Sequence, residues 1–231
     1  MVFSSDLAHN RCMSFCGLLI VVLAIAMPKG ALAQGSKSRQ AELGKVQELL
    51  ADPDPNTRLA NMEQIVNSGD ATKFDLALRL AFHSDDQSMR ALGMRAYIAS
   101  LHGLTFDMQL PPPTQRQYDE AQGDQEKMAA LVKQYPYFVL YAPTGFRVHL
   151  TFAKYDMAQS TGVIADGKRT QGSFTISGDK VVSTFTSQFG NGGVACSLDF
   201  RPTNDMLLKG FLICEAGPMM IPRLAVTASI F

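Results

Sequence analysis

CSLDFRPTNDMLLKGFLIC, from Cys196 to Cys214, is two alternating apolar runs on either side of a polar reversal, Arg201 to Met206. Pro, Thr, Asn and Asp are turn-forming residues, and apolar alternation at period two marks strands with one buried face. A hairpin centred on Asp205 sets Cys196 opposite Cys214 and Leu198 opposite Leu212. Directly opposed side chains in a non-hydrogen-bonded antiparallel pair lie within disulfide reach. That register also puts both sulfurs on the leucine face, the side expected to be buried. The stretch therefore predicts a β domain carrying one buried disulfide, made in an oxidising compartment.

The N-terminus supports that compartment. Residues 17–27, GLLIVVLAIAM, are uncharged and apolar, with Arg11 before them and Pro28, Lys29 and then Ala31-Leu32-Ala33 after. This is the pattern of a secretory signal with a small-residue cleavage motif, and it is shorter than the ~20 residues a spanning helix needs. Cleavage is expected before Gln34, with Ala31 and Ala33 as the small residues recognised; an uncleaved anchor is the alternative. Cys12 and Cys16 leave with this segment, so Cys196 and Cys214 remain as an even pair. Cys16 precedes the apolar run, the wrong side for lipidation. Removal also takes Asp6, Arg11 and Lys29 from a chain of 21 basic and 21 acidic residues, leaving a net charge of −1. Nothing in that balance favours nucleic acid or an anionic membrane.

Residues 34–40 are small and polar and read as a flexible leader. Leu43, Val46, Leu49 and Leu50 then follow helical spacing until Asp52-Pro53-Asp54-Pro55 stops them. Asp54 is placed to cap a second helix with Pro55 at its first position. Third and fourth helices are expected over about 71–82 and 86–101. Shifted by 32 residues, Asp54 falls on Asp86, Arg58 on Arg90, Met62 on Met94, Val66 on Ile98 and Leu50 on Phe82. On these residues the segment 49–99 resembles HEAT-like helical repeats, which carry an acidic turn and a D-x-x-x-R motif, here Asp54 to Arg58 and Asp86 to Arg90. The resemblance implies an α-solenoid used as a protein-binding surface. Only two repeats are visible where about three usually share a core, and an ordinary cluster of four helices is the competing reading.

Pro111-Pro112-Pro113 is the sharpest break in the chain, because three prolines remove three backbone donors. A connecting helix is expected beyond it, capped by Thr114 with Gln117 and interrupted near Gly123. From residue 137 the period becomes two. Strands are expected at 138–142, 146–153, 162–165, 172–176, 181–188, 194–200, 207–214 and 224–230, several separated by Asp-Gly, Gly-Asp or Asn-Gly turns. Phe174, Ile176, Val181, Phe185 and Phe189 are the expected core. The fold class is therefore α+β: antiparallel helical hairpins, then an antiparallel β meander forming a small barrel or sandwich. The expected divisions are a signal peptide at 1–33, the leader at 34–40, a helical domain at 41–110, a linker and helix at 111–136, and a β domain at 137–231.

Motifs for chemistry are weak. His149 lies on a strand near Tyr155 and Asp156, and Ser160, Ser173 and Ser183 lack the G-x-S-x-G elbow that would expose a nucleophile. His83, Asp85 and Asp86 match no zinc or calcium spacing and read as helix-end residues. Gly190 to Gly193 lacks the Lys-Ser/Thr and the helix of a phosphate loop. Phe231 echoes the aromatic terminus of outer-membrane barrels, but Ser229, Thr227, Ala225 and Arg223 on its face are wrong for lipid. No catalytic, cofactor-binding or metal-ligating residue is assigned. The function expected is that of an exported, non-enzymatic envelope protein that binds another envelope or extracellular protein, in the periplasm or secreted. A carrier of a small apolar ligand inside the β domain is the alternative, and a hydrolase with an unrecognised site a further one.

Overall fold

The computed structural model describes residues 29–166, 170–189, 192–216 and 219–231. The chain divides into two compact units, Met1–Arg39 and Gln40–Phe231. Four helices open the described chain: α1 (Lys29–Leu50), α2 (Pro55–Val66), α3 (Ala71–His83) and α4 (Gln87–Ser100). Each of the last three begins at an aspartate. Asp54 accepts hydrogen bonds from the backbone N–H of Asn56 and Thr57, Asp70 from Lys73, and Asp86 from Ser88 and Met89. These caps satisfy amide donors that a helix leaves free at its start. Thr57 Oγ1 also donates to Asp54, and these bonds hold the Asp54 carboxyl below its ordinary pKa. Residues 34–40, expected to be a leader, lie within α1. Their two Gln, Lys and Arg are good helix formers that offset Gly35 and two Ser, so polarity alone is a poor sign of irregular chain.

The C-terminal half is a closed antiparallel barrel of eight strands in consecutive order. Its strands are β1 (Gly103–Gln109), β2 (Arg147–Asp156), β3 (Thr161–Asp166), β4 (Thr170–Ser177), β5 (Lys180–Phe189), β6 (Gly192–Pro202), β7 (Leu207–Ala216) and β8 (Met219–Ser229). The expected hairpin stands as read: Cys196 pairs with Cys214 and Leu198 with Leu212, and all four are buried. Of the expected core, Phe174, Ile176, Val181 and Phe185 are buried; the Phe189 side chain lies outside the described residues.

Two expectations are corrected. Residues 103–109 are strand β1, not the end of a helical domain, and β1 closes the barrel by pairing with both β2 and β8. Leu104, Phe106 and Met108 alternate inward along it. The proline run made this short stretch look like a tail, although its period was already two. Conversely, 138–142 is not a strand. Phe138–Tyr141 form helix α7, followed by a 3-10 turn at Ala142–Thr144. A short, continuous apolar run does not distinguish buried strand from buried helix. The proposed boundaries at 110 and 137 therefore do not separate helices from sheet: α5 (Pro112–Ala121), α6 (Gln125–Gln134) and α7 are an insertion between β1 and β2. The break at Gly123 is present, with φ +82, but α5 has no Thr114 cap, and Thr114 is buried.

The barrel interior is filled by phenylalanines set against glycines. Gly162 pairs across the sheet with Phe174, Gly172 with Phe185 and Gly210 with Phe200. A Cβ on Gly172 would lie 2.5 Å from Phe185 Cβ, and one on Gly210 would lie 2.7 Å from Phe200 Cα, both inside van der Waals contact. Phe200 meets Phe106 at 4.8 Å between ring centroids, and Phe174 meets Phe152 at 5.1 Å. An eight-stranded barrel has an interior that side chains can fill, and glycine beneath an aromatic ring allows both tight strand curvature and a large filler. Gly172→Ala should therefore destabilise the unit by about 3 kcal/mol and lower its melting midpoint by roughly 6 to 12 °C. The outward-facing Ser173→Ala should change stability by less than about 0.5 kcal/mol. Equal melting of Gly172→Ala and wild type would contradict this packing.

Candidate functional site

The two ends of the barrel carry different helices. The insertion α5–α7 leaves at the end of β1 and returns at the start of β2, so it lies at one end. There Phe138 meets Tyr118 and Phe146 at ring separations of 5.7 and 4.9 Å. Tyr141 reaches the disulfide, its hydroxyl 3.7 Å from Cys214 Sγ. The Cys196–Cys214 bond spans a Cα separation of 4.0 Å within the buried core. Burial pushes the Tyr141 phenol up to about 12, and that of Tyr97 on α4 likewise. These neutral, enclosed phenols are structural fillers.

At the other end, α4 runs into β1 through Leu101 and His102. Arg90 on α4 donates from Nε to Asp179 at 2.9 Å, in the turn between β4 and β5. The same arginine donates from Nη1 to the Ser84 carbonyl at 2.7 Å. Arg58, its counterpart 32 residues earlier, repeats both contacts: Nη1 to the Asp52 carbonyl at 2.7 Å and Nη2 to Asp86 at 2.9 Å. The Arg58 bond holds the Asp86 carboxyl below its ordinary range. Each arginine thus ties the turn preceding its own helix to an aspartate farther along the chain: the cap of α4 for Arg58, and the β4–β5 turn of the barrel for Arg90.

Outside the core, two grooves are candidate contact sites. One, of about 340 Å³, lies between α1 and α2, with Val46, Leu49 and Ile65 as its apolar wall and Lys45, Gln64 and Lys73 at its edge. Lys73 is held by Glu42 at 3.3 Å and Asp70 at 3.7 Å. The other, of about 420 Å³, is a depression on the outer face of β4–β7, lined by Gln171, Ser173, Thr184, Thr186, Ser197 and Glu215. Outer positions of the barrel are largely polar and inner ones apolar, the reverse of a lipid-facing barrel. Among the described residues no helix is long and apolar enough to cross a membrane.

The residues weighed from sequence are dispersed. His149 bonds Thr105 across β1 and β2 at 2.8 Å, and Ser183 is buried, donating to the Leu198 carbonyl at 2.8 Å. His83 donates from Nδ1 to the Arg79 carbonyl at 2.7 Å, and Asp86 is a helix cap. Among the described residues no three His, Cys, Asp or Glu side chains gather as a metal site. Ala31, Ala33 and Gln34 fall on α1, and the Gly190 to Gly193 loop lies partly outside the described residues. Sequence reading missed the groove between α1 and α2, because it depends on the spacing of two helices rather than on any motif. No protein family, curated protein or solved structure matches the chain.

The disulfide closes an interval of 18 residues, for which loop-closure entropy gives about 3 kcal/mol. Replacing both cysteines by alanine should therefore lower the melting midpoint of Gln40–Phe231 by roughly 6 to 12 °C. Two free thiols in natively produced protein, or an unchanged midpoint in the double variant, would contradict the assignment.

Proposed function

We propose that the chain is an exported, non-enzymatic protein-interaction module of a cell envelope or extracellular space. In this reading α1–α4 form a HEAT-like contact surface and the barrel is the rigid body that carries it. The observation that bears most weight is the placement of apolar surface. Phenylalanine and leucine side chains fill the inside of the barrel, whereas an apolar-walled groove lies outside, between α1 and α2. A carrier would be expected to keep space inside its barrel. Export rests on the signal-like N-terminus, and the disulfide accords with an oxidising compartment.

A photo-crosslinker replacing Gln64, at the groove edge, should give a discrete protein adduct in envelope or culture extract. A crosslinker replacing Thr175, exposed on the barrel, should not. Leu49→Glu should reduce the Gln64 adduct at least tenfold, with unchanged circular dichroism. Absence of any adduct, together with a small apolar molecule retained by the native protein in mass spectrometry, would overturn the interaction reading in favour of a carrier.

A further inference from the structure

The disulfide lies close to the barrel end that carries α5–α7. β6 begins at Gly192 and β7 ends at Ala216, so Cys196 and Cys214 sit near the side where β1 leads into the insertion and α7 returns to β2. Toward the barrel centre the bridge is backed by Leu198 and Leu212, and Phe185 stands opposite Cys196 on β5; all three are buried. From the barrel end Tyr141 of α7 meets it, hydroxyl to Cys214 Sγ at 3.7 Å. Cys196 is 5% exposed, Cys214 1% and Tyr141 6%. Thiol–disulfide exchange requires a thiolate to contact a sulfur, so neither cysteine can exchange until part of the chain moves.

The insertion is the part least tied to the rest. It has a core of its own, in which Phe138 packs against Tyr118, Tyr135 and Tyr137 with ring separations of 5.7, 5.7 and 5.1 Å. Its side-chain hydrogen bonds also stay mostly internal, from Gln115 to Asp119 and from the α6 amides to Asp124. Among the described residues its polar ties to the barrel are the Tyr141 contact with sulfur, Thr144 with the Arg147 backbone, and the Met108 N–H to the Phe146 carbonyl. The last two lie beside Gly145, a left-handed position with φ +65 where the chain enters β2. The Tyr137 hydroxyl is buried without a partner, and its return to water would lower the cost of undocking. β6 and β7, by contrast, are paired residue by residue from Ala195 to Pro202. Local opening of a loosely tied segment costs less than global unfolding. We propose that α7 is a gate over the disulfide: α5–α7 moves off the barrel end as a unit, and a dithiol then reaches Cys214 while the strands stay paired. One thiolate of the reductant attacks Cys214 Sγ, forming a mixed disulfide and releasing Cys196 as a thiolate that takes up a proton. The second thiolate closes the reductant's own disulfide and releases Cys214, so two electrons pass from the dithiol to the bridge. This gate does not depend on protein partnership at the groove between α1 and α2.

The test is reduction of the intact disulfide-bonded protein by dithiothreitol without denaturant and in low urea, with released thiols trapped by alkylation and counted by mass spectrometry. Reduction is expected to be about tenfold or more slower than in the urea-unfolded chain, and to rise with urea less than about half as steeply as global unfolding does. Tyr141→Ala, which uncovers the sulfur, should speed reduction about tenfold or more and keep the shallow urea dependence. Gly172→Ala weakens the barrel and leaves the gate, so it should change the rate by less than about threefold; a route through global unfolding would instead speed it about a hundredfold. Should Tyr141→Ala fail to fold, Tyr141→Leu and the urea dependence of the wild type carry the comparison. Reduction of the wild type as fast as the unfolded chain, a urea dependence equal to that of global unfolding, a hundredfold gain in Gly172→Ala, or an unchanged rate in a folded Tyr141 variant would overturn the proposal.

Discussion

Three phenylalanines stand across the sheet from three glycines, and the barrel depends on those pairs. A ring of eight strands encloses little volume, and Phe174, Phe185 and Phe200 are too large to face ordinary side chains across so tight a curve. Gly162, Gly172 and Gly210 supply the missing space. The strands then bend enough for β1 to reach β8 at Asp107 to Gln109, which completes the ring. The disulfide lies in the same layer of buried side chains, joining β6 and β7. With the interior occupied by its own aromatic groups, the surface left for recognition is on the outside and at the seams with the helices.

The helices are not a separate body placed before the barrel. Backbone connectivity forces α4 into β1 within two residues, and Arg90 fastens the preceding helical turn to Asp179 on the barrel. The matching role of Arg58 toward Asp86 makes the barrel stand where a further helical element would continue the series. At the opposite end, Tyr141 brings the inserted helix α7 onto the disulfide. Both attachments use polar atoms at defined positions, which orients the helices as well as holding them. The external groove lies between α1 and α2, on the helical side.

Much of this was legible in the sequence because it depends on neighbours along the chain. Asp54 and Asp86 announced helix starts, and two cysteines flanking a polar turn announced a register that the sheet reproduces pair by pair. What was not legible depends on closure. The alternation in Leu104, Phe106 and Met108 was present, but a seven-residue strand beside three prolines acquires meaning only when β8 returns to meet it. The apolar run at Phe138 to Tyr141 was misread for a related reason, since its burial comes from rings at the barrel end rather than from a sheet. Glycines facing aromatics could not be paired before the register of β3, β4 and β5 was known.

Closure of the ring by β1 is the claim on which the filled interior, the placement of both helical groups and the outward location of the candidate sites rest. Native-state hydrogen exchange of backbone amides tests it directly, because a strand paired on both sides opens only with the whole barrel. The amides of Asp107, Met108 and Gln109, where β1 meets β8, should exchange at the rate set by global unfolding, in step with those of β5 and β6. Early exchange of those amides through local opening, while β4–β7 stay protected, would mean an open sheet and would contradict the account.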